Sequence, residues 1–102
     1  MIRRSSGRSI DVLPRDWLRR LPDPVTYYER CLASLGPSNP HGWAQSRCPF
    51  HDDHEASLSV HLVHGGWHCF AGCGQGDLVA FHRRLNDLTF VAAVLDLLRW
   101  RP

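Results

Sequence analysis

The chain has 102 residues, of which 43% are hydrophobic and 22% charged, and its formal net charge is +2. This length allows one small domain with a thin hydrophobic core, for which a bound metal ion is a common source of extra stability. No run of residues is apolar over the length of a membrane span, and no apolar stretch follows the basic N-terminal residues. The sequence therefore predicts neither a membrane protein nor a secreted one, and we expect a cytoplasmic protein with reduced cysteines.

The basic residues are concentrated near the N-terminus. Residues 1–20 hold six of the twelve, and all twelve are arginine. Arginine is a good phosphate ligand, although an all-arginine set also fits a bias in genome base composition. Residues 1–10 are predicted to be disordered, and residues 14–21 to form one or two helical turns starting at Pro14. We assign residues 1–22 to a basic, partly disordered extension that could make non-specific, salt-sensitive phosphate contacts.

The first predicted helix has recognisable start and stop signals. Asp23 can cap it, and Pro24 suits its first position. Gly36 followed by Pro37 predicts its end. Cys31 lies within this helix, far from a second close ligand, and is predicted to be a small buried residue.

A small sheet is predicted to follow. Residues 43–47 are predicted to form a strand, and residues 57–63 alternate polar and apolar, the pattern of a strand with one solvent-facing side. The segment 64–66 contains two glycines and predicts a hairpin turn, with residues 67–70 as the return strand. In segment 57–63 the residues expected to face the core are Leu58, Val60 and Leu62, and those expected to face outward are Ser57, Ser59 and His61.

Two helices are predicted to close the chain. Asp77 can cap the first of them and Thr89 the second. Each has an apolar face at helical spacing, which we interpret as core. These faces comprise Leu78, Phe81, His82 and Leu85 in the first helix, and Val91, Val94, Leu95 and Leu98 in the second.

Four metal-ligand residues are the strongest chemical signal in the chain. Cys48 and His51 form a close pair in Cys-Pro-Phe-His, and after seventeen residues Cys69 and Cys73 form another. Two close pairs separated by a long gap are typical of a tetrahedral zinc site. Four strong ligands leave no position for water, so the pattern predicts one structural Zn²⁺ and not a catalytic one. Core thiols or disulfides are the alternatives, and a reducing compartment disfavours disulfides.

The search for catalytic groups gives a negative prediction. The acidic segment 52–55 could be read as a catalytic metal cluster, but adjacent side chains on a turn do not readily converge on one ion. The sequence shows no phosphate-binding loop and no nucleophile motif. We therefore predict a non-catalytic module.

The sequence contains an ordered string of motifs: Cys-Pro-Phe-His, an acidic turn, Ser-Leu-Ser-Val, Trp-His-Cys-Phe and Cys-Gly-Gln-Gly-Asp. This string resembles the N-terminal zinc-binding domain of bacterial DnaG-type DNA primases, and the resemblance covers roughly residues 24–98. It implies an α+β zinc ribbon, a small antiparallel sheet flanked by helices, which we assign to residues 23–102. The family usually places two residues between the last two cysteines, whereas three separate them in this chain. The zinc ligands implied by the resemblance are Cys48, His51, Cys69 and Cys73.

The resemblance also implies a function. In that family the domain helps to engage single-stranded template DNA and to choose the primer start site, while a separate Toprim-type polymerase domain transfers the nucleotides. The implied partners are single-stranded DNA and a Toprim-type primase catalytic subunit or a helicase. A cationic track and flat rings suit such a strand, and the candidate contacts are Arg47, His61, Trp67, Arg83 and Arg84. The alternative is a zinc-stabilised protein-interaction adaptor of a replication or mobile-element system without DNA contacts, which the weak net charge favours.

Overall fold

The computed structural model describes residues 12–52 and 55–102, and within them the chain forms a small α+β domain. The elements in chain order are a 3₁₀ helix (Trp17–Arg20), α1 (Pro24–Cys31), β1 (Trp43–Ser46), β2 (Leu58–His61), β3 (Trp67–Cys69), β4 (Gly74–Gly76), α2 (Leu78–Asn86) and α3 (Phe90–Leu98). The four strands make one antiparallel sheet in the order β1-β2-β3-β4. This architecture confirms the predicted fold class. The predicted disorder of residues 1–10, and two residues of the acidic segment (53 and 54), lie outside the described residues.

Helix α1 begins as predicted but ends early. Pro24 is its first residue, and the Asp23 carboxylate accepts a hydrogen bond from the Thr26 backbone N–H at 3.3 Å. Leu32 then leaves the helix with extended backbone angles (φ −119°, ψ 109°) and is 4% exposed. The prediction that the helix runs to Gly36 is therefore wrong.

Contacts with β1 explain the early end of α1. The Ser34 hydroxyl accepts a hydrogen bond from the Arg47 backbone N–H at 3.0 Å. The Gly36 N–H donates to the Gln45 carbonyl at 2.8 Å. These bonds hold the residues after α1 against the edge of the sheet, where a continued helix could not place them.

The sheet has one face toward the core and one face outward. Leu58 and Val60 of β2 are fully buried, as the alternating pattern predicts. Val60 is paired with Ala44 of β1 and with Trp67 of β3, so all three lie on the core face. Strand β4 was not predicted, because a three-residue strand with two glycines carries no strand signal.

The helices cover the core face through aromatic contacts. Phe81 of α2 is fully buried, with ring centroids 5.1 Å from Tyr28 and 5.6 Å from Trp67. The Tyr28 hydroxyl donates to the carbonyl of Gly65, at 2.6 Å, in the turn between β2 and β3. The core thus ties α1 and α2 to the same two strands.

A chain of polar side chains links the three helices, from the buried Tyr27 and His82 to the half-exposed Asp96. The Tyr27 hydroxyl lies 2.6 Å from Nδ1 of His82, and His82 Nε2 lies 2.6 Å from an Asp96 carboxylate oxygen. Burial raises the pKa of Tyr27 well above its ordinary value, so its hydroxyl keeps its proton. We infer that Tyr27 donates to Nδ1 and that the ring donates from Nε2 to Asp96.

The remaining helix boundaries follow the predicted caps. The Asp77 carboxylate accepts from the Ala80 N–H at 2.8 Å, and the Thr89 hydroxyl accepts from the Ala92 N–H at 3.2 Å. Both bonds satisfy backbone donors at a helix start. No helix in the described part of the chain has the length and apolar character needed to cross a membrane.

Part of the segment that we assigned to the N-terminal extension packs on the domain. Leu13 is 9% exposed and belongs to the core. Trp17 meets Phe90 of α3 edge to face, with ring centroids 5.6 Å apart. Residues 12–22 therefore contribute to the packing of α3.

Candidate metal centre

The four predicted ligands come from two turns at one end of the sheet. Cys48 and His51 lie in the turn that follows β1. Cys69 is the last residue of β3, and Cys73 immediately precedes β4. Their ligand atoms all lie within 4.8 Å of one another, and His51 Nδ1 is 2.8 Å from Cys73 Sγ. The structure therefore brings together all four residues.

The donor set fits zinc. Three thiolates and one imidazole are preferred ligands of Zn²⁺, with bonds of roughly 2.0–2.3 Å, and tetrahedral geometry then sets donor separations of roughly 3.5 Å. The observed cluster is close to that size, so only small side-chain movements are needed to bind an ion. Four protein ligands close the coordination sphere, which makes the site structural: zinc here would join two turns and offer no position to a substrate.

The loop with one additional residue still positions its ligands. The Gly72 N–H donates to the Cys69 carbonyl at 3.2 Å, which closes the turn between the two cysteines. Gly72 and Gly74, on either side of Cys73, have φ angles of 95° and 133°. Residues with side chains rarely adopt these angles, so the two glycines allow the turn that directs Cys73 inward.

Hydrogen bonding prepares one thiol for metal binding. Burial opposes ionisation of Cys69, but backbone N–H groups of Cys73 and Ala71 outweigh it and lower the pKa of Cys69 to about 7. Burial is the main reason that the pKa of Cys48 is raised to about 12, and the neighbouring thiols of Cys69 and Cys73 raise it further. In the metal-free protein the Cys69 thiol therefore ionises more readily than the Cys48 thiol, and a bound Zn²⁺ would supply positive charge that stabilises thiolates.

Apolar and polar neighbours surround the centre. The Phe50 ring lies between the first two ligands in sequence and packs against Trp67 and Phe81 with centroid distances of 5.4 and 5.1 Å. The Ser57 hydroxyl is 3.8 Å from Cys69 Sγ, where it can donate to a thiolate. Cys31 lies outside the cluster, as predicted, but it is half-buried and not buried as expected.

Three of the predicted DNA contacts are exposed cations. Arg47 follows β1 at the metal end of the sheet, and Arg83 and Arg84 lie in the last turn of α2. All three are exposed. Strands β1 and β4 are the two edges of the sheet, and Arg47 directly follows β1. Arg47 therefore lies at the edge opposite β4.

His61 is half-buried and is held by the β2–β3 turn. Its ring stacks on His64 at a centroid distance of 3.6 Å with an interplanar angle of 2°. Its Nε2 donates to the His41 carbonyl at 2.8 Å, while Nδ1 accepts from the backbone N–H groups of Val63 and His64. These bonds hold the His61 ring in one orientation.

Trp67 is placed differently from the exposed position that a DNA contact needs. It is 4% exposed, on the core face of β3, and its indole N–H donates to the Asp77 carbonyl at 3.0 Å. Its ring contacts Phe50 and Phe81 and is buried, so it is not accessible to a nucleotide base. The parity of β3 explains this position, since Cys69 two residues later must face the metal.

A groove on the outer face of the sheet contains residues that sequence reasoning missed. Its volume is about 730 Å³. Principal lining residues are Trp43, Gln45, Ser59, His68, Phe70 and Gln75. Phe70 is 69% exposed and packs against His68 at a centroid distance of 4.5 Å. Strand parity could have identified this set, because residues adjacent to the core positions of β1 and β3 must face outward.

Comparisons with known proteins agree with this centre. The model of the CHC2 zinc finger family matches residues 41–101. The DNA primase of Mycolicibacterium smegmatis is 48% identical over 48 residues, and that of Helicobacter pylori is 46% identical over 51. These matches cover 46% and 49% of this chain but only 7% and 9% of the primases.

A solved structure has the same fold. The crystal structure of the Aquifex aeolicus primase, comprising zinc-binding and RNA polymerase domains, matches with a TM-score of 0.69 and 29% identity. The match covers 85% of this chain and 21% of that one. The ligand set, the fold and the family match together show that the chain belongs to the CHC2 zinc finger family and carries a DNA primase-type zinc-binding domain with one structural zinc site.

Proposed function

We propose that this domain binds single-stranded template DNA on the outer face of its sheet and acts in replication priming with a primase catalytic region. The observation that carries the proposal is the groove on that face, which combines the exposed Phe70 ring and the half-buried Trp43 ring with side-chain amide groups. Proteins that bind single strands commonly stack bases on aromatic rings and guide the backbone with cations. The face opposite the core is the surface of the sheet that remains available for such a strand.

The rings in the groove are suited to stacking. Phe70 is largely exposed, and Trp43 is half-buried with its ring held edge-on by His61 at 5.0 Å. Between them, His68 Nδ1 is 2.8 Å from the Gln75 side-chain oxygen. We infer that His68 donates this bond, which leaves the Gln75 amide N–H groups available to a base edge.

Three exposed arginines outside the groove are candidates for the phosphates of a bound strand. We retain Arg47, Arg83 and Arg84 as proposed phosphate contacts, and His61 as a proposed contact at the opposite end of the sheet. We propose Trp43 and Phe70 in place of Trp67, because its ring is buried in the core.

The proposed module is non-catalytic and would act in the cytoplasm, where thiols remain reduced. Its chain spans less than a tenth of the curated primases that it matches, so nucleotide transfer is assigned to a region or partner outside these residues. The Aquifex aeolicus structure, in which a zinc-binding domain accompanies an RNA polymerase domain, supports this division.

Fluorescence anisotropy with a labelled single-stranded oligonucleotide tests the proposal. Zinc-loaded protein should bind with an affinity that falls as salt rises. Phe70→Ala and Trp43→Ala should each weaken binding about fivefold or more, since one stacked base contributes roughly 1–3 kcal/mol. Val63→Ala is the matched control, because Val63 is 75% exposed and is not among the groove residues.

Two results would contradict the proposal. The first is the absence of binding at low salt, which would favour the protein-interaction adaptor and direct the search to protein partners. The second is equal affinity in Phe70→Ala, Trp43→Ala and Val63→Ala, which would move any DNA site away from the groove.

A further inference from the structure

We propose that Arg84 is a positioning residue of the metal centre, which holds the two ligand-bearing turns together and balances their charge. This inference goes beyond DNA binding and depends only on the zinc site. It concerns a residue that the sequence indicated solely as a phosphate contact.

Arg84 contacts the first turn through Phe50. Its guanidinium carbon lies 4.8 Å from the centroid of the Phe50 ring, over the ring face. Phe50 is located between Cys48 and His51 in sequence, and its ring also packs on Trp67 of the core. The guanidinium therefore covers a half-buried ring whose position sets the turn that carries the first two ligands.

Arg84 also reaches the second turn. A methyl group built on Gly74 would lie 2.9 Å from Nη1 of Arg84. The guanidinium thus lies against the backbone immediately after Cys73, within roughly 8 Å of the Cys73 Cα. The Arg84 side chain therefore lies beside both ligand-bearing turns.

The charge of the centre favours a cation at this place. Three thiolates and one Zn²⁺ leave the complex with one net negative charge, and its ligand atoms are close together and half or fully buried. A guanidinium beside both turns stabilises that charge in the zinc-bound protein. This electrostatic stabilisation is limited because the Arg84 side chain is exposed, and solvent and salt screen exposed charges.

The position of α2 explains how Arg84 arrives there. The chain leaves Cys73 through β4, and Asp77 starts α2 directly afterwards. Two turns later α2 has brought Arg84 back beside Gly74. Helix α2, which follows the metal centre in the chain, therefore places the Arg84 side chain against that centre.

Competition with a chromogenic zinc chelator tests the role without DNA. Arg84→Gln should weaken zinc binding roughly three- to tenfold. Arg84→Lys, which keeps the charge and loses the planar contact with Phe50, should recover part of that loss. Arg101→Gln removes the same charge at an exposed position near the C-terminus and should bind zinc as the parent does. In 0.5 M salt the difference in zinc affinity between the Arg84→Gln variant and the parent should become smaller.

Each outcome bears on the proposal. The proposal is supported if the zinc affinity of Arg84→Lys lies between those of the parent and Arg84→Gln. It also requires that the difference in affinity between the parent and Arg84→Gln becomes smaller in salt. Equal zinc affinities in Arg84→Gln and Arg101→Gln would overturn it. Arg84→Lys as weak as Arg84→Gln, or a gap that does not change with salt, would also overturn it, since the loss would then not depend on charge. Failure of DNA binding would leave all these measurements interpretable.

Discussion

Replacement of one zinc ligand should unfold the domain. Cys73→Ser exchanges a thiolate for a hydroxyl that stays protonated near neutral pH and is a poor zinc ligand. Binding of a structural zinc ion contributes about 10–16 kcal/mol in small zinc domains, whereas a whole domain is stable by about 5–15 kcal/mol. Loss of a substantial part of the free energy of zinc binding therefore removes most of the free energy of unfolding. With equimolar zinc, the variant should lose its bound metal and its cooperative thermal transition.

Metal content by mass spectrometry and thermal melting followed by circular dichroism measure these two effects. Cys31→Ser is the matched control, because Cys31 is a half-buried cysteine outside the metal cluster. It should keep one zinc per chain and lose about 1 kcal/mol or less. If Cys73→Ser kept one zinc per chain and melted like the parent, Cys73 could not be a ligand, and the account of the centre would fail.

Three further predictions concern the same domain. Excess EDTA should remove the zinc and abolish the cooperative thermal transition, and added zinc should restore that transition. A sharp thermal transition in EDTA would contradict a structural role for the metal. Tyr27→Phe removes a buried hydrogen bond to His82 and should cost about 1 kcal/mol, or roughly 4–8 °C in melting temperature; an unchanged melting temperature would show that the bond adds no net stability. Asp77→Ala removes the cap of α2 and should cost about 1 kcal/mol, with the Asp77 carbonyl still available to Trp67; unchanged stability in chemical denaturation would contradict the cap.

The features that the sequence predicts correctly depend on neighbouring residues. Asp23, Asp77 and Thr89 cap helices because each carboxylate or hydroxyl accepts from an N–H three residues later. The ligand pairs are likewise local, since each pair needs only one turn to direct two donors to an ion. Even the additional residue before Cys73 is accommodated locally, by the positive φ of Gly72.

The features that the sequence does not predict depend on distant contacts. Gly36 is a good stop signal, but α1 ends earlier because Ser34 accepts a hydrogen bond from Arg47, thirteen residues later and directly after β1. Strand β4 exists because β3 offers it a hydrogen-bonding edge, and its own residues give no sign of it. The residue type of Trp67 suggests a stacking contact with a base, but its pairing with Val60 and its parity with Cys69 put it on the core face.

The metal centre also fixes the composition of the proposed DNA-binding face. Side chains alternate between the two faces of a strand, so a shift of β3 by one residue would move Cys69 away from the other ligands. Zinc binding excludes that shift, since it requires the Cys69 thiolate at the core face. The same register aligns Gln45, Ser59, His68 and Gln75 across the four strands on the outer face. A structural ion that touches no nucleotide can therefore determine which side chains a template strand would meet.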